Sequence, residues 1–335
     1  MQAPRTRVQR RPVHGVLLLD KPLGLSSNQA LQKVKWLLRA DKAGHTGTLD
    51  PLATGVLPLC FGAATKFSQM HLDADKTYVA IARLGIKTRT GDAEGDVIEK
   101  RPVNVSEAAV AELAQRFTGP IQQVPPMHSA LKKDGKALYE YARAGVEVER
   151  EARNVTIHKL NAAADFSNSE QPAIELRVTC SKGTYIRTLA EDMGEALGCG
   201  AHLTALRRTA TGNFDESQCV SLEALAAMTE EERLACFLPV DALLADHTSV
   251  ILDSENSGRF LSGVRRRGAW ADCERVAVYG DNPRALLGTA HIKAGELIPG
   301  RLLSPIEIQQ ILTSCGTGRN GMATSPVPNL LESET

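Results

Sequence analysis

Hydrophobic and polar positions change period several times along the chain, and each change predicts an element. The apolar run at 13–19 predicts a buried strand. Ser26 and Ser27 then open a helix, in which Ala30, Leu31, Val34, Leu37 and Leu38 recur at helical spacing. Residues 56–61 predict a second buried strand, and Pro58 within it points to an edge or a bulge. A short helix is expected over 65–72. From 77 to 84 the period is two: Tyr78, Ala80 and Ala82 share one face, Val79, Ile81 and Arg83 the other. Ser106 caps a helix with the stripe Val110, Leu113, Ala114 and Phe117, stopped by Gly119-Pro120. Residues 174–180 alternate, with Ile174, Leu176, Val178 and Cys180 facing inward. Residues 185–197 return to helical period through Ile186, Leu189, Ala190, Met193 and Leu197.

Between these elements lie two polar stretches. Residues 88–96, with Gly91 and Gly95, predict a loop. Residues 125–150 form a basic excursion carrying Lys132, Lys133, Lys136, Tyr139, Tyr141 and Arg143, which suits a polyanion or an ordinary surface hairpin and helix. Strands and helices mix without regular alternation. That order favours an α+β fold over a doubly wound parallel sheet. Composition shifts after Asp241, and 248–313 shows short apolar runs broken by Gly and Pro, as in a small all-β module. The expected organisation is a basic flexible tail at 1–12, a main domain at 13–247, the β module at 248–313, and a disordered tail at 314–335.

Composition narrows the chemistry. With 335 residues, 43% hydrophobic and 23% charged, the chain suits a soluble protein with a real core. No apolar run is long enough to span a membrane, and the start lacks a signal-peptide pattern. The 7 cysteines are scattered and form no Cys-x-x-Cys pair, which argues for reduced thiols in a cytosol. No histidine spacing suggests a metal site, so neither metal nor cofactor is expected. Net charge is +0, yet basic residues cluster at 5–11, at 132–136, at Arg207 and Arg208, and at 265–267. Several such clusters on a neutral protein can form a local phosphate-binding stripe.

The block Gly44-His45-Thr46-Gly47-Thr48-Leu49-Asp50-Pro51-Leu52-Ala53-Thr54-Gly55 places one carboxylate among small, neutral residues. Pro51 pushes Asp50 toward an extended conformation. The glycines let a large ligand approach the main chain. No Gly-Lys-Ser/Thr follows, and Gly-x-Gly-x-x-Gly is absent, so the loop gives nucleotide-triphosphate and dinucleotide readings little support. A plain turn with an Asp-Pro breaker remains the alternative.

Taken in order, these segments resemble the bacterial TruB-type tRNA pseudouridine synthases. The resemblance rests on residues 15–25 with Asp20-Lys21-Pro22, the 44–55 block, Ala64-Thr65-Lys66, Asp75-Lys76-Thr77-Tyr78, residues 125–132, the run Cys180-Ser181-Lys182-Gly183-Thr184-Tyr185-Ile186-Arg187-Thr188-Leu189, and residues 198–208. It covers most of 13–210, with a looser likeness of the C-terminal part to a PUA-like domain. It implies a mixed, mostly antiparallel central sheet flanked by helices, and isomerisation of uridine 55 in the T-loop of tRNA. It implies that Asp50 is the nucleophile, that Tyr78 stacks on the target base, and that Arg187 pairs with the aspartate. Tyr185 and Leu206 would surround the uracil, Lys21 and Pro22 would pack behind it, and His45 would fill the stack the base leaves. Lys132, Arg207 and Arg208 are expected to contact RNA.

That reaction breaks the bond from uracil N1 to the ribose, turns the base and rejoins it through C5. It requires no redox change or energy source. The base must first leave its stack, at a cost of a few kcal/mol. An arginine beside a buried carboxylate keeps it ionised and can hold it in a fork. The expected partner is the T-arm of tRNA, bound through shape and phosphates by a monomer in the cytoplasm, with no obligatory protein partner. Other readings are a pseudouridine synthase for another RNA, a protein that refolds the tRNA elbow without needing Asp50, and an aspartate-nucleophile hydrolase of a small molecule.

Overall fold

In the computed structural model, which describes residues 9–168 and 170–316, the first apolar run becomes β1 (Gly15–Lys21). Helix α1 (Ser27–Leu37) follows. The Ser26 side chain accepts from the Gln29 amide, and the Gln29 side chain accepts from Ser26 in return. This reciprocal cap satisfies two donors that a helix start would leave bare. The chain returns through β2 (Ala43–His45), β3 (Ala53–Phe61) and β4 (Lys76–Leu84). Two short helical turns, Gly62–Lys66 and Ser68–His71, occupy the stretch where a single helix was expected, with buried Phe67 between them.

Helix α2 (Glu107–Arg116) carries the Ser106 cap and buries Val110, Leu113 and Ala114. It leads into β5 (Gly119–Gln123), β6 (Arg153–Asp165) and β7 (Ala173–Cys180). Helix α3 (Ile186–Ala196), β8 (Ala201–Thr211) and β9 (Val220–Ser221) complete the frame. The sheet runs β9-β1-β3-β8-β4-β7-β6-β5. Only β1–β9 and β3–β8 pair in parallel along this path, so the sheet is mixed and mostly antiparallel. Apolar stripes of all three helices join the sheet residues Leu17, Leu19, Ala80, Ala82 and Leu176 in one core. Gly119-Pro120 does more than end a helix: it begins β5, an end strand of the sheet where a proline costs no ladder bond.

Pro58 lies inside the sheet rather than at its edge. β1 runs along one side of β3. On the other side β3 changes partner, pairing first with β8 through Ala53–Gly55 and then with β2 through Leu59–Phe61. Pro58 occupies the gap between them, and its carbonyl accepts from the Thr46 amide at 3.1 Å. A strand residue aims its N–H and C=O to the same side. The missing N–H of Pro58 therefore falls where no partner strand runs.

The end of the basic tail is tied down. Arg11 bridges to Ala40 and pairs with Glu230, and Arg10 donates to the Ala40 carbonyl. The rest of the tail expected at 1–12, and most of that expected at 314–335, lie outside the described residues. The loop at 88–96 is the turn of a hairpin joining Ile86–Thr88 to Val97–Lys100. Within 125–150, Lys132–Lys133 pairs with Lys136–Ala137, and a short helix, Leu138–Arg143, follows.

The chain divides into two compact units, Met1–Ala245 and Asp246–Thr335. The second has a five-stranded sheet in the order Thr248–Leu252, Cys273–Asp281, Arg284–Lys293, Glu296–Leu302, Arg266–Arg267. Val276, Val278, Leu297 and Phe260 form its core. Its helices, Ser254–Leu261 and Pro305–Gly316, are additional to the strands read from the sequence. No helix among the described residues is long and apolar enough to cross a membrane.

Candidate active site

The 46–53 loop is pinned through its backbone by neighbouring elements. Ser27 Oγ, at the start of α1, accepts from the Leu49 amide at 2.7 Å and contacts the Leu49 carbonyl at 3.0 Å. The Asp50 carbonyl accepts from the Ala53 amide, and the Pro51 carbonyl from Gly24. Buried Lys21 in turn holds the 22–25 turn, its Nζ donating to the carbonyls of Pro22 and Leu25. Thus β1, α1 and the turn between them fix the loop that carries Asp50. The Asp50 side chain itself remains 39% exposed at the loop's rim.

Arg187 meets Asp50 from the opposite wall. It sits in the first turn of α3, and Gln123 of β5 fixes the residue before that turn by bonding both the amide and the carbonyl of Tyr185. The guanidinium is 5% exposed and lies 2.9 Å from Asp50 Oδ2. It also donates to the Thr90 carbonyl at 2.8 Å and to the His128 carbonyl at 2.6 Å. Asp92, equally buried, faces Nε at 3.8 Å. Asp92 shapes its own loop, since Oδ1 accepts from Thr90 Oγ1 and from the Glu94 amide. An arginine with a surface helix-start role would show none of these contacts. A buried guanidinium held by two carbonyls cannot swing away from the carboxylate it faces without losing strong hydrogen bonds.

The third wall is β4. Tyr78 is 9% exposed and stands in register between Val178 of β7 and Arg208 of β8. Burial pushes its phenol above the ordinary value, while the neighbouring Arg208 guanidinium works the other way. Leu206, on β8, lies opposite Ala80 of β4 and Ala53 of β3. Tyr185 is half-buried, its phenol also raised chiefly by burial. His45 leads into the loop from β2. Its Nδ1 is buried without a partner, and burial, then Arg208, lowers its imidazole below the usual range. The Lys21 ammonium is pushed down to about 8 by burial, against the pull of Asp50 and Glu94.

Two expected RNA contacts are placed otherwise. Arg208 is 1% exposed: Nε donates to the Val56 carbonyl at 2.7 Å and Nη2 to the Gly47 carbonyl at 3.1 Å. It plugs the gap where β3 changes partner, so its charge braces the loop instead of meeting a phosphate. Gly55 lies tight against this residue's backbone: with φ of +97°, a methyl group there would come 2.2 Å from the Arg208 carbonyl. Arg207 is more exposed but is held in a fork by Asp20 at 3.0 and 3.1 Å and by Glu216 at 2.8 Å. Lys132 is exposed on the 125–150 segment, away from these ion pairs. There, Lys133 donates to the Glu149 carbonyl, and Lys136 and Arg143 lie over the rings of Tyr141 and Tyr139.

Residue-by-residue reading missed Asp92, Thr90, Ser27 and Gln123. The first had a faint signal, an acid between Gly91 and Gly95 in a polar loop. The others act through backbone or capping bonds that leave no periodic trace.

An aspartate on a pinned loop, a buried arginine aimed at it and a wall of tyrosine and leucine meet on one mixed sheet. The chain belongs to the TruB family of pseudouridylate synthases. Residues 35–186 match the N-terminal domain of that family, and 187–245 match the tRNA pseudouridylate synthase B C-terminal domain. The chain is 65% identical to tRNA pseudouridine synthase B of Verminephrobacter eiseniae (strain EF01-2), over 93% of this chain and 95% of that protein. It is 58% identical to the protein of the same name from Ralstonia pickettii (strain 12J), over 90% and 98%. Among solved structures it is similar to a chain of a Cbf5-Nop10-Gar1 complex, with a TM-score of 0.65 and 25% identity, covering 88% of this chain and 86% of that one.

Proposed function

We propose that this protein isomerises uridine 55 in the T-loop of tRNA to pseudouridine, with Asp50 as the reacting carboxylate. The observation that carries the reading is the 2.9 Å pair between Asp50 and buried Arg187. The carboxylate is reachable from solvent, while the cation that orients it is not. Addition to uracil C6, attack at ribose C1′ and proton removal at C2′ each need an oxygen held in this way. Arg187 orients it by a charge-assisted bond and keeps its own place through Thr90 and His128.

Tyr78 offers the everted base a π face, worth roughly 1–3 kcal/mol, and a hydroxyl that burial keeps protonated, which relays the proton leaving C5 by releasing its own to water as it takes that one. Leu206 covers the other side and helps exclude water. Tyr185 and His45 border the space the base enters, and Lys21 with Pro22 backs it. Recognition falls to Lys132 and its neighbours on the 125–150 segment, since Arg207 is already engaged by Asp20 and Glu216. The names of the curated relatives support tRNA as substrate. We infer a monomer acting in the cytoplasm, without an obligatory protein partner. The domain bounds follow the same reading: 13–247 catalytic, 125–150 its RNA-binding insert, and 248–313 a PUA-like module.

The test is tritium release from C5-labelled uridine in a T-arm stem-loop, alongside ribosomal RNA fragments. Release from the stem-loop at position 55 is expected, and release only from ribosomal fragments would overturn the assignment.

A further inference from the structure

Glu191 takes no part in the chemistry described above, yet it lies directly behind the groups that hold Arg187. It sits one turn beyond Arg187 on α3, and its carboxyl packs against the backbone of Gly91. A methyl group at Gly91 would come within 2.9–3.1 Å of that carboxyl. Gly91 is the link between Thr90, whose carbonyl takes Arg187 Nη1, and Asp92, which faces Arg187 Nε. On its other side the Gly91 carbonyl accepts from the Leu203 amide of β8 at 3.0 Å. The Thr90–Asp92 segment is thus clamped between β8 and the Glu191 side chain, and Gly91, with φ of +71°, is the residue that permits the close approach.

We propose that Glu191 is a positioning residue for the reaction: through Gly91 it seats the Thr90–Asp92 segment and so sets the aim of Arg187 at Asp50. This rests on the functional reading above. The charged groups around Glu191 come from three places. Lys87 on the 86–88 strand faces it but is engaged by Glu195 at 2.6 Å. Arg187 and Asp192 belong to its own helix, and Asp92 to the loop. Burial, opposed by Lys87 and Arg187, brings the Glu191 carboxyl up to about 7. Its neutral form packs on Gly91 without repelling Asp92 and leaves the charge of Arg187 to Asp50. Its ionised form does the reverse. The seat therefore loosens as pH rises through neutrality.

Single-turnover rates on a T-arm stem-loop across pH 5.5–8.5 test this with three proteins. Glu191→Gln fixes the neutral form, so its rate relative to the native protein is expected to rise about threefold to tenfold across that range, with RNA affinity unchanged. Glu191→Ala removes the packing and is expected to lower the rate by a similar factor at every pH, again without a change in affinity. A Glu191→Gln to native ratio that stays flat with pH overturns the proposal, as does a loss confined to RNA affinity. If the native protein itself releases no tritium from the stem-loop, the functional reading fails. If it turns over while the ratio stays flat, only the role of Glu191 fails.

Discussion

The floor of the site and the 125–150 segment are both rich in charge, but they use it in opposite ways. In the floor, Arg187, Arg208 and Lys21 are buried and spend their donors on backbone carbonyls. In the segment, Lys132, Lys133 and Lys136 are exposed, and the cations that do find partners rest on tyrosine rings or a single carbonyl. Buried charge held by fixed oxygens makes geometry, because its desolvation is tolerable only in one arrangement. Exposed charge makes attraction, which tolerates many arrangements and is screened by salt. A site that must place one carboxylate against one base needs the first. A surface that must find a phosphate backbone needs the second.

This contrast can be broken in order of expected effect. Asp50→Asn keeps the shape of the floor and removes its anion; turnover should fall by at least about 10⁴-fold while stem-loop affinity stays near native. Tritium release and filter binding on one preparation check this. If the variant turns over normally, Asp50 has no chemical role. Tyr78→Phe retains the ring and loses the hydroxyl, so kcat should drop by about 10²–10⁴-fold with little change in base stacking, measured by single-turnover kinetics.

Arg208→Met strips the buried plug from the β3 gap and leaves the Val56 and Gly47 carbonyls without donors. A loss of about 2–4 kcal/mol in unfolding free energy is expected, read by urea titration. A wild-type midpoint in that titration would show the plug to be dispensable. The double change Lys132→Ala and Lys136→Ala addresses the other side of the contrast. It should raise KM about tenfold and make the salt dependence of binding shallower by about 1–2 in log–log slope, with kcat nearly untouched.

The smallest effect concerns Lys21. Its folded-state value of about 8 lies below the ordinary 10.5, so between these values the unfolded chain binds more protons. Stability from this group therefore rises as pH increases through that window and is lowest where the buried ammonium is charged. Lys21→Met should abolish up to about 1 kcal/mol of that rise between pH 7.5 and 9.5, measured as the difference in unfolding free energy between the two proteins.

Much of the frame was legible because its elements keep a clean period. β4 and β7 alternate without interruption, and α1, α2 and α3 each bury one stripe. β6 and β8 were not legible, and the reason is physical: register shifts at Ile157/Lys159, Leu203/Ala205 and Arg208/Ala210 reset the alternation. β8 also carries Arg207 and Arg208, which read as surface basics until the gap that swallows Arg208 is known. At the site, the Asp50 loop stood out through its glycines and Pro51, whereas the pairing with Arg187, 137 positions away, came only with the resemblance. Asp92 and Glu191 depend on contacts between the 88–96 loop and α3 that no single stretch of sequence encodes.

The break in the neighbours of β3 carries a last consequence. A sheet that stayed zipped along that strand would leave no room for a loop to depart with its own shape. By ending one partner at Gly55 and admitting another at Leu59, the fold opens a seam. An imino acid removes the hydrogen that the seam could not accommodate, and a guanidinium stitches the Val56 carbonyl beside it. Restoring an N–H at position 58 would put a donor into that seam with no strand there to accept it.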